Sequence, residues 1–168
     1  MNAQPVIEVD HVTVRYGSTR AVDDVTFSVA RGAVYVLLGR NGAGKSSLIR
    51  AILGQFRPDH GSVRINGADV WKDRAELMKH VGVVPEVPDF PSSMNAHALE
   101  RFFASLYETW DRAGVLARLD RHGLPSKTPF GRLSKGQKSQ VALTLALGSN
   151  PELLILDDPT LGLDPVAR

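Results

Sequence analysis

"GRNGAGKSS", residues Gly39 to Ser47, packs three glycines, a lysine and two hydroxyls into nine residues. The spacing Gly39-x-x-x-x-Gly44-Lys45-Ser46 fits a loop that cradles phosphate. Successive backbone N–H groups can turn inward around phosphate oxygens only where side chains leave the approach clear. Gly39, Gly42 and Gly44 meet that condition, with Arg40, Asn41 and Ala43 between them. A helix starting at the phosphate adds its positive end. Lys45 then reaches the β- and γ-phosphates, and Ser46 offers an oxygen to Mg²⁺. Two plainer readings compete. One is a turn that is glycine-rich by chance. The other is a dinucleotide-binding turn, which needs G-x-G-x-x-G; here Gly42-x-Gly44 is followed by Lys45, Ser46 and Ser47.

The flanks favour the phosphate loop. "AVYVLL", residues 33–38, leads in and reads as a strand buried on both faces. Leu48, Ile49, Ile52 and Leu53 lead out at helical spacing, until "RPDHG" breaks the pattern. Upstream, Ile7, Val9, Val12, Val14 and Tyr16 alternate with polar neighbours. Their phase slips at Asp10–His11, which predicts a bulged strand. Val25, Phe27 and Val29 make a second alternating strand. Downstream, "SVRI" is a short strand and Asn66–Gly67 a tight turn. A short helix near Asp73–His80 precedes a buried strand, "VGVV", which Pro85 ends. Residues 88–133 change character. Leu99, Phe102, Phe103 and Leu106 share one helical face, and Val115, Leu116 and Leu119 another.

Bulk properties narrow the classes. The chain has 168 residues, enough for one domain with a core. Hydrophobic residues make up 43% and charged residues 23%, as in a soluble globular domain. A net charge of +2 argues against nucleic acid, which needs a concentrated basic face. With no cysteine, disulfides and thiolate metal sites are excluded. No apolar run approaches the roughly 20 residues of a spanning helix. The first residues show no secretory signal, so the expected location is cytoplasmic.

Two further motifs follow the helical segment. "LLILDDP" sets Asp157 and Asp158 at the end of an apolar strand, where open α/β sheets place ligands. Read alone, the pair is a strand end closed by turn-forming aspartates. Beside a phosphate loop, a carboxylate there can support Mg²⁺. "LSKGQ" carries Ser134-x-x-Gln137, a capping box, and a capped helix start with Gly136 in its first turn can also meet an anion. With the loop, "LLILDDP" and "LGLD" in this order, the chain resembles the ATP-binding subunit of an ABC transporter. The resemblance covers essentially all of its length, and the ordered combination is far more specific than the loop alone. It is most similar to the ATPases of bacterial drug- or peptide-export systems.

That resemblance implies an α/β fold. A P-loop NTPase core with a parallel sheet would carry an N-terminal antiparallel β subdomain and a short helical subdomain. Residues 1–168 would form a single ATP-binding domain: 1–87 for the β subdomain and loop, 88–133 for the helical subdomain, and 134–168 for the signature helix, the aspartate strand and the following loop. It implies ATP and Mg²⁺ as cofactors, with hydrolysis driving export. Tyr16 matches the aromatic that stacks on adenine. Gly39 to Ser47 match the Walker A loop, and Asp157 the Walker B aspartate, with Lys45 and Asp158 in the catalytic roles. Ser46, Asp157 and Glu86 match the metal-facing positions. Ser134, Lys135, Gly136 and Gln137 match the signature that meets ATP held by a second subunit. Asp164 matches the loop coupling the two sites. The implied partners are a second copy or a paired ATPase subunit, and integral membrane subunits that hold the domain at the inner face of the cell membrane.

Four departures stand out. Asp158 occupies a position where the family usually has glutamate, so slow hydrolysis is expected. Glu86 stands where glutamine is usual, and Lys135 where glycine is common. No histidine follows the aspartate pair, and the family continues with more core strand than "LGLDPVAR" supplies, so the last part of the core is expected to be missing. These departures leave a second reading open: a catalytically weak, ATP-dependent dimerisation switch.

Overall fold

Val9, Val12 and Val14 are almost wholly buried, and they set the inner face of strand β1 (Ile7–Tyr16). The computed structural model describes residues 4–125 and 127–157. The chain divides into two compact units, Met1–Met78 and Lys79–Arg168.

In the first unit β1 lies between two antiparallel neighbours, β2 (Thr19–Val29) and β3 (His60–Ile65), and β4 (Ala68–Asp69) closes the order β2-β1-β3-β4. The β3–β4 turn places Asn66 at φ 50° and Gly67 at φ 79°. Two consecutive positive φ values suit the twist of a two-residue hairpin. Helix α1 (Lys45–Ile52) packs on β1, β2 and β3 through Leu48, Ala51 and Ile52. The expected helix near Asp73–His80 is a single turn, α2 (Arg74–Leu77), continued by a 3₁₀ turn.

The strand expected at residues 33–38 does not form. These residues lie outside the four-stranded sheet, with Val34 93% and Leu38 85% exposed. An apolar run becomes a central strand only when strands pair with it on both sides. Among the described residues of this unit none does, and Tyr35 instead stacks on Phe27 with ring centroids 4.9 Å apart.

The phase slip at Asp10–His11 is a true bulge: register shifts between Val9 and Val12 against β2. His11 sits at φ 50° and Asp24, across the ladder, at φ 52°. Each such non-glycine residue costs about 1–3 kcal/mol unless its surroundings compensate. Here the His11 backbone N–H donates to Thr26 Oγ1, and that of Asp24 to Thr13 Oγ1, at 2.9 and 3.0 Å. The side chains then meet, His11 Nδ1 to Asp24 Oδ1 at 2.7 Å. On the facing strand a Cβ at Gly61 would overlap the Asp10 and His11 carbonyls, so the bulge requires glycine there. The Asp24 hydrogen bond and charge, aided by Asp10, raise the His11 pKa above its ordinary 6.5. A raised folded pKa means the pair's small contribution is fully present below pH 6.5 and is lost as pH rises through the folded value. NMR titration of the imidazole is expected to show this upward shift, and Asp24→Asn to return the midpoint towards 6.5.

The second unit pairs strand β5 (Val81–Val84) with β6 (Leu153–Leu156) in parallel, Val81 opposite Leu153 and Val84 opposite Leu156. Three helices stand between them in sequence: α3 (Ala96–Ala104), α4 (Arg112–Arg121) and α5 (Lys135–Ala146). They close over Leu99, Val115, Leu119, Phe130, Val141 and Leu145. Burying a side chain the size of Leu99 stabilises by about 1.5–3 kcal/mol. Of the face expected here, Leu99 is buried and Phe103 packs against the core, whereas Phe102 is 47% exposed and Leu106, past the end of α3, 61%. Ala96 and Glu100 complete the buried side. The buried stripe runs i, i+3, i+4 and includes a carboxylate, which apolar periodicity alone passes over. Among the described residues no helix is long and apolar enough to cross a membrane.

Candidate functional site

Gly42 and Gly44 turn the 39–47 loop through left-handed backbone, at φ 80° and 85°. Gly44 is the N-cap of α1, with no side chain capping it and no acidic residue in the first turn. The first N–H groups of a helix have no intrahelical partners, so this bare start suits an anion. A Cβ at Gly44 would overlap the Ala21 carbonyl, so glycine is required for space as well as for φ. Gly39, Arg40, Asn41, Gly42 and Ala43 are exposed, while Lys45, Ser46 and Ser47 are half-buried. Lys45 Nζ donates to the carbonyls of Gly39 and Arg40 at 2.7 and 3.0 Å, tying the loop's entrance to the helix that leaves it. The Ala43 N–H closes the turn onto the Arg40 carbonyl at 3.1 Å. Tyr16 ends β1 half-exposed, edge-on to Phe56 with centroids 6.2 Å apart.

In the second unit, the Asp157 N–H donates to the Val84 carbonyl at 2.9 Å. The parallel ladder therefore brings Asp157, just past β6, and Glu86, in the bend after β5, to the carboxyl end of the same pair of strands. Glu86 is exposed and Asp157 half-buried. Ser46 belongs to the first unit and these two carboxylates to the second. Asp158 and Asp164 lie outside the described residues. Among the described residues no cluster of three or more histidine, cysteine, aspartate or glutamate side chains is placed to hold a metal unaided.

The capping box predicted from Ser134-x-x-Gln137 is complete. Ser134 Oγ accepts from the Gln137 N–H at 3.2 Å, and Gln137 Oε1 from the Ser134 N–H at 2.9 Å. Both side chains thus define where α5 begins. Ser134 and Lys135 are exposed, and Gly136 is half-buried. The first turn of α5 carries no acidic residue. Lys138 lies over the Phe130 ring at 5.4 Å, which holds its cation beside that turn. An open cleft of about 390 Å³, lined by Gly54, Gln55, Trp71 and Arg74, includes none of the predicted residues.

The family model described as ABC transporter matches residues 22–161. The chain belongs to the ABC transporter family. The bacitracin transport ATP-binding protein BcrA of Bacillus licheniformis is 36% identical over 96% of this chain and 53% of its own length. The Nod factor export ATP-binding protein I of Paraburkholderia xenovorans is 38% identical over 98% of this chain and 56% of its own. This ABC transporter domain therefore spans about half the length of the curated relatives it matches. A solved ATP-binding subunit of an ABC transporter superposes with a TM-score of 0.83 at 32% identity, covering 96% of this chain and 70% of that one. The fold is the ABC ATPase form of the P-loop NTPase.

Sequence reasoning missed Glu100. It is 1% exposed and accepts from Trp110 Nε1 at 3.1 Å. The signal available was that Glu100 falls four residues after Ala96 and next to Leu99, on the apolar side of a helix whose other polar residues are His97 and Arg101.

Proposed function

We propose that this domain binds and hydrolyses ATP and that pairing with a second ATPase domain couples hydrolysis to export through separate membrane subunits. One observation carries the reading: a left-handed glycine loop whose lysine bonds its own entrance carbonyls beneath an uncapped, acid-free helix start. Export is supported by relatives named for bacitracin transport and Nod factor export. In this reading residues 39–47 receive the phosphates of ATP and Tyr16 stacks on its base. The start of α5, with Ser134 to Gln137, meets the nucleotide of the second domain. Residues 1–87, 88–133 and 134–168 then serve as nucleotide platform, membrane-facing insert and signature-to-aspartate segment of one domain. The location follows from the partners: the cytoplasmic face of a membrane.

Mg²⁺ would take oxygen donors of the kind these positions carry: the Ser46 hydroxyl in the first unit and, in the second, the Asp157 and Glu86 carboxylates at one end of the β5–β6 pair. Mg²⁺ favours one or two carboxylates plus substrate phosphates and water over a cage of protein ligands. When bound it neutralises charge on the phosphates. Glu86 keeps an oxygen ligand where the family has an amide and adds a negative charge. Glu86→Gln keeps an oxygen and removes the negative charge, so it is expected to raise the half-saturating Mg²⁺ concentration about tenfold, or about 1.4 kcal/mol of lost attraction. An unchanged Mg²⁺ dependence of turnover would assign Glu86 to solvent.

Single-turnover hydrolysis tests the whole reading. Phosphate release from radiolabelled ATP in the presence of Mg²⁺ is the expected result. A stable ATP-bound dimer without release would mean a switch, and no nucleotide binding would overturn the proposal.

A further inference from the structure

The second unit holds a buried polar chain that the nucleotide-binding groups do not use. Glu100 lies on the core face of α3, 1% exposed, among Ala96 and Leu99. A carboxylate taken out of water is retained only where its lone pairs are met. Trp110 Nε1 donates to Glu100 Oε1 at 3.1 Å, and Arg112 Nε approaches the same oxygen at 3.6 Å. That contact fixes the Trp110 ring, which also packs against Tyr107, stacked at 5.7 Å, and Phe103.

The ring's far edge abuts Gly148, at the other end of α5 from its capping box. A Cβ at Gly148 would run into the six-membered ring of Trp110, so no larger residue fits without moving the indole. The backbone makes a second tie, from the Asp111 N–H to the Gly148 carbonyl at 2.8 Å. Gly148 follows the C-cap Leu147 of α5 and precedes the turn into β6. Helices α3 and α4 therefore grip α5 at its C-terminal end, through one buried carboxylate and one indole. A helix is stiff along its axis, so a shift at Gly148 is carried to Ser134 as well.

We propose that Glu100 and Trp110 are positioning residues, a latch that sets the axial placement of α5 and so the reach of Ser134–Gln137 towards the second domain's nucleotide. The proposal rests on the ATPase reading above. Misplacing α5 leaves the chain's own phosphate loop intact, so ATP binding and turnover separate. A residue that only stabilises the fold would move both together.

The test uses the full chain in a Trp71→Phe background, where Trp110 is the sole tryptophan. Gly148→Ala and Glu100→Leu are expected to red-shift Trp110 emission and lower kcat at least about tenfold, since small misplacements are costly in a positioned site. The Kd for ATP should stay within about twofold, because that site's groups are untouched. Glu100→Gln keeps an acceptor for the indole and is expected to retain most of kcat. Shifted emission with unchanged kcat in Gly148→Ala would overturn the latch. So would loss of ATP binding in step with kcat in both Gly148→Ala and Glu100→Leu. If the unsubstituted chain hydrolyses no ATP, the ATPase reading falls and the latch with it; hydrolysis insensitive to Gly148→Ala removes the latch alone.

Discussion

Lys45→Ala is expected to lower ATP turnover by about 10²–10³-fold, the cost of one pre-placed donor facing developing charge, or about 3–4 kcal/mol. The geometry explains why so much rests on one side chain. Lys45 Nζ is held by the Gly39 and Arg40 carbonyls, which fixes its charge at the entrance of the loop. A pre-placed cation loses little conformational freedom when it meets its anion. Truncation removes the charge and also the two bonds that tie the loop's entrance to α1. ATP affinity should therefore fall together with turnover. Lys45→Arg is a useful companion, because a planar guanidinium cannot reproduce a point charge directed at two carbonyls. Isothermal titration with a non-hydrolysable ATP analogue, beside phosphate release, checks both effects. Turnover unaffected by Lys45→Ala would sink the site assignment.

Asp158→Asn is expected to reduce turnover by about a hundredfold or more while ATP binding stays near that of the unsubstituted chain, because the carboxylate that orients the attacking water is lost and this chemistry depends on positioning. The substitution removes the charge and keeps the size, so the loss reports the carboxylate's chemistry. The opposite change is as informative. Aspartate is one methylene shorter than the family's usual glutamate, and a displacement of about 1 Å can cost a hundredfold. Asp158→Glu is thus expected to raise turnover. Equal rates for the aspartate, asparagine and glutamate forms would remove residue 158 from the mechanism.

How much of this was legible in the sequence depends on how local the physics is. The phosphate loop is written in consecutive residues, because glycines permit the left-handed turns at 42 and 44 and the lysine follows at once. The Ser134–Gln137 capping box and the Asn66–Gly67 turn are equally local, and each appears where its residues predicted. The run 33–38 misleads for the opposite reason. Hydrophobicity marks the capacity to be buried, and whether a strand forms depends on partners far along the chain. The α3 face was misjudged through Glu100, since apolar spacing cannot register a carboxylate that a distant tryptophan satisfies. The His11–Asp24 pair also needed the cross-strand register, which no pattern within either strand reveals.

The parallel ladder has a consequence for how the second unit is made. Among the described residues β5 pairs with β6 alone, so Val81 meets its partner Leu153 only after the whole helical segment has been synthesised. Long-range parallel pairing is slow to nucleate, because chain closure must be met before any ladder bond rewards it. The three helices can assemble first around Leu99 and Val141, shortening the distance to be searched. On a ribosome, then, the β5 edge would stay without its β6 partner while all three helices are made, and a chaperone would have that edge to shield for as long.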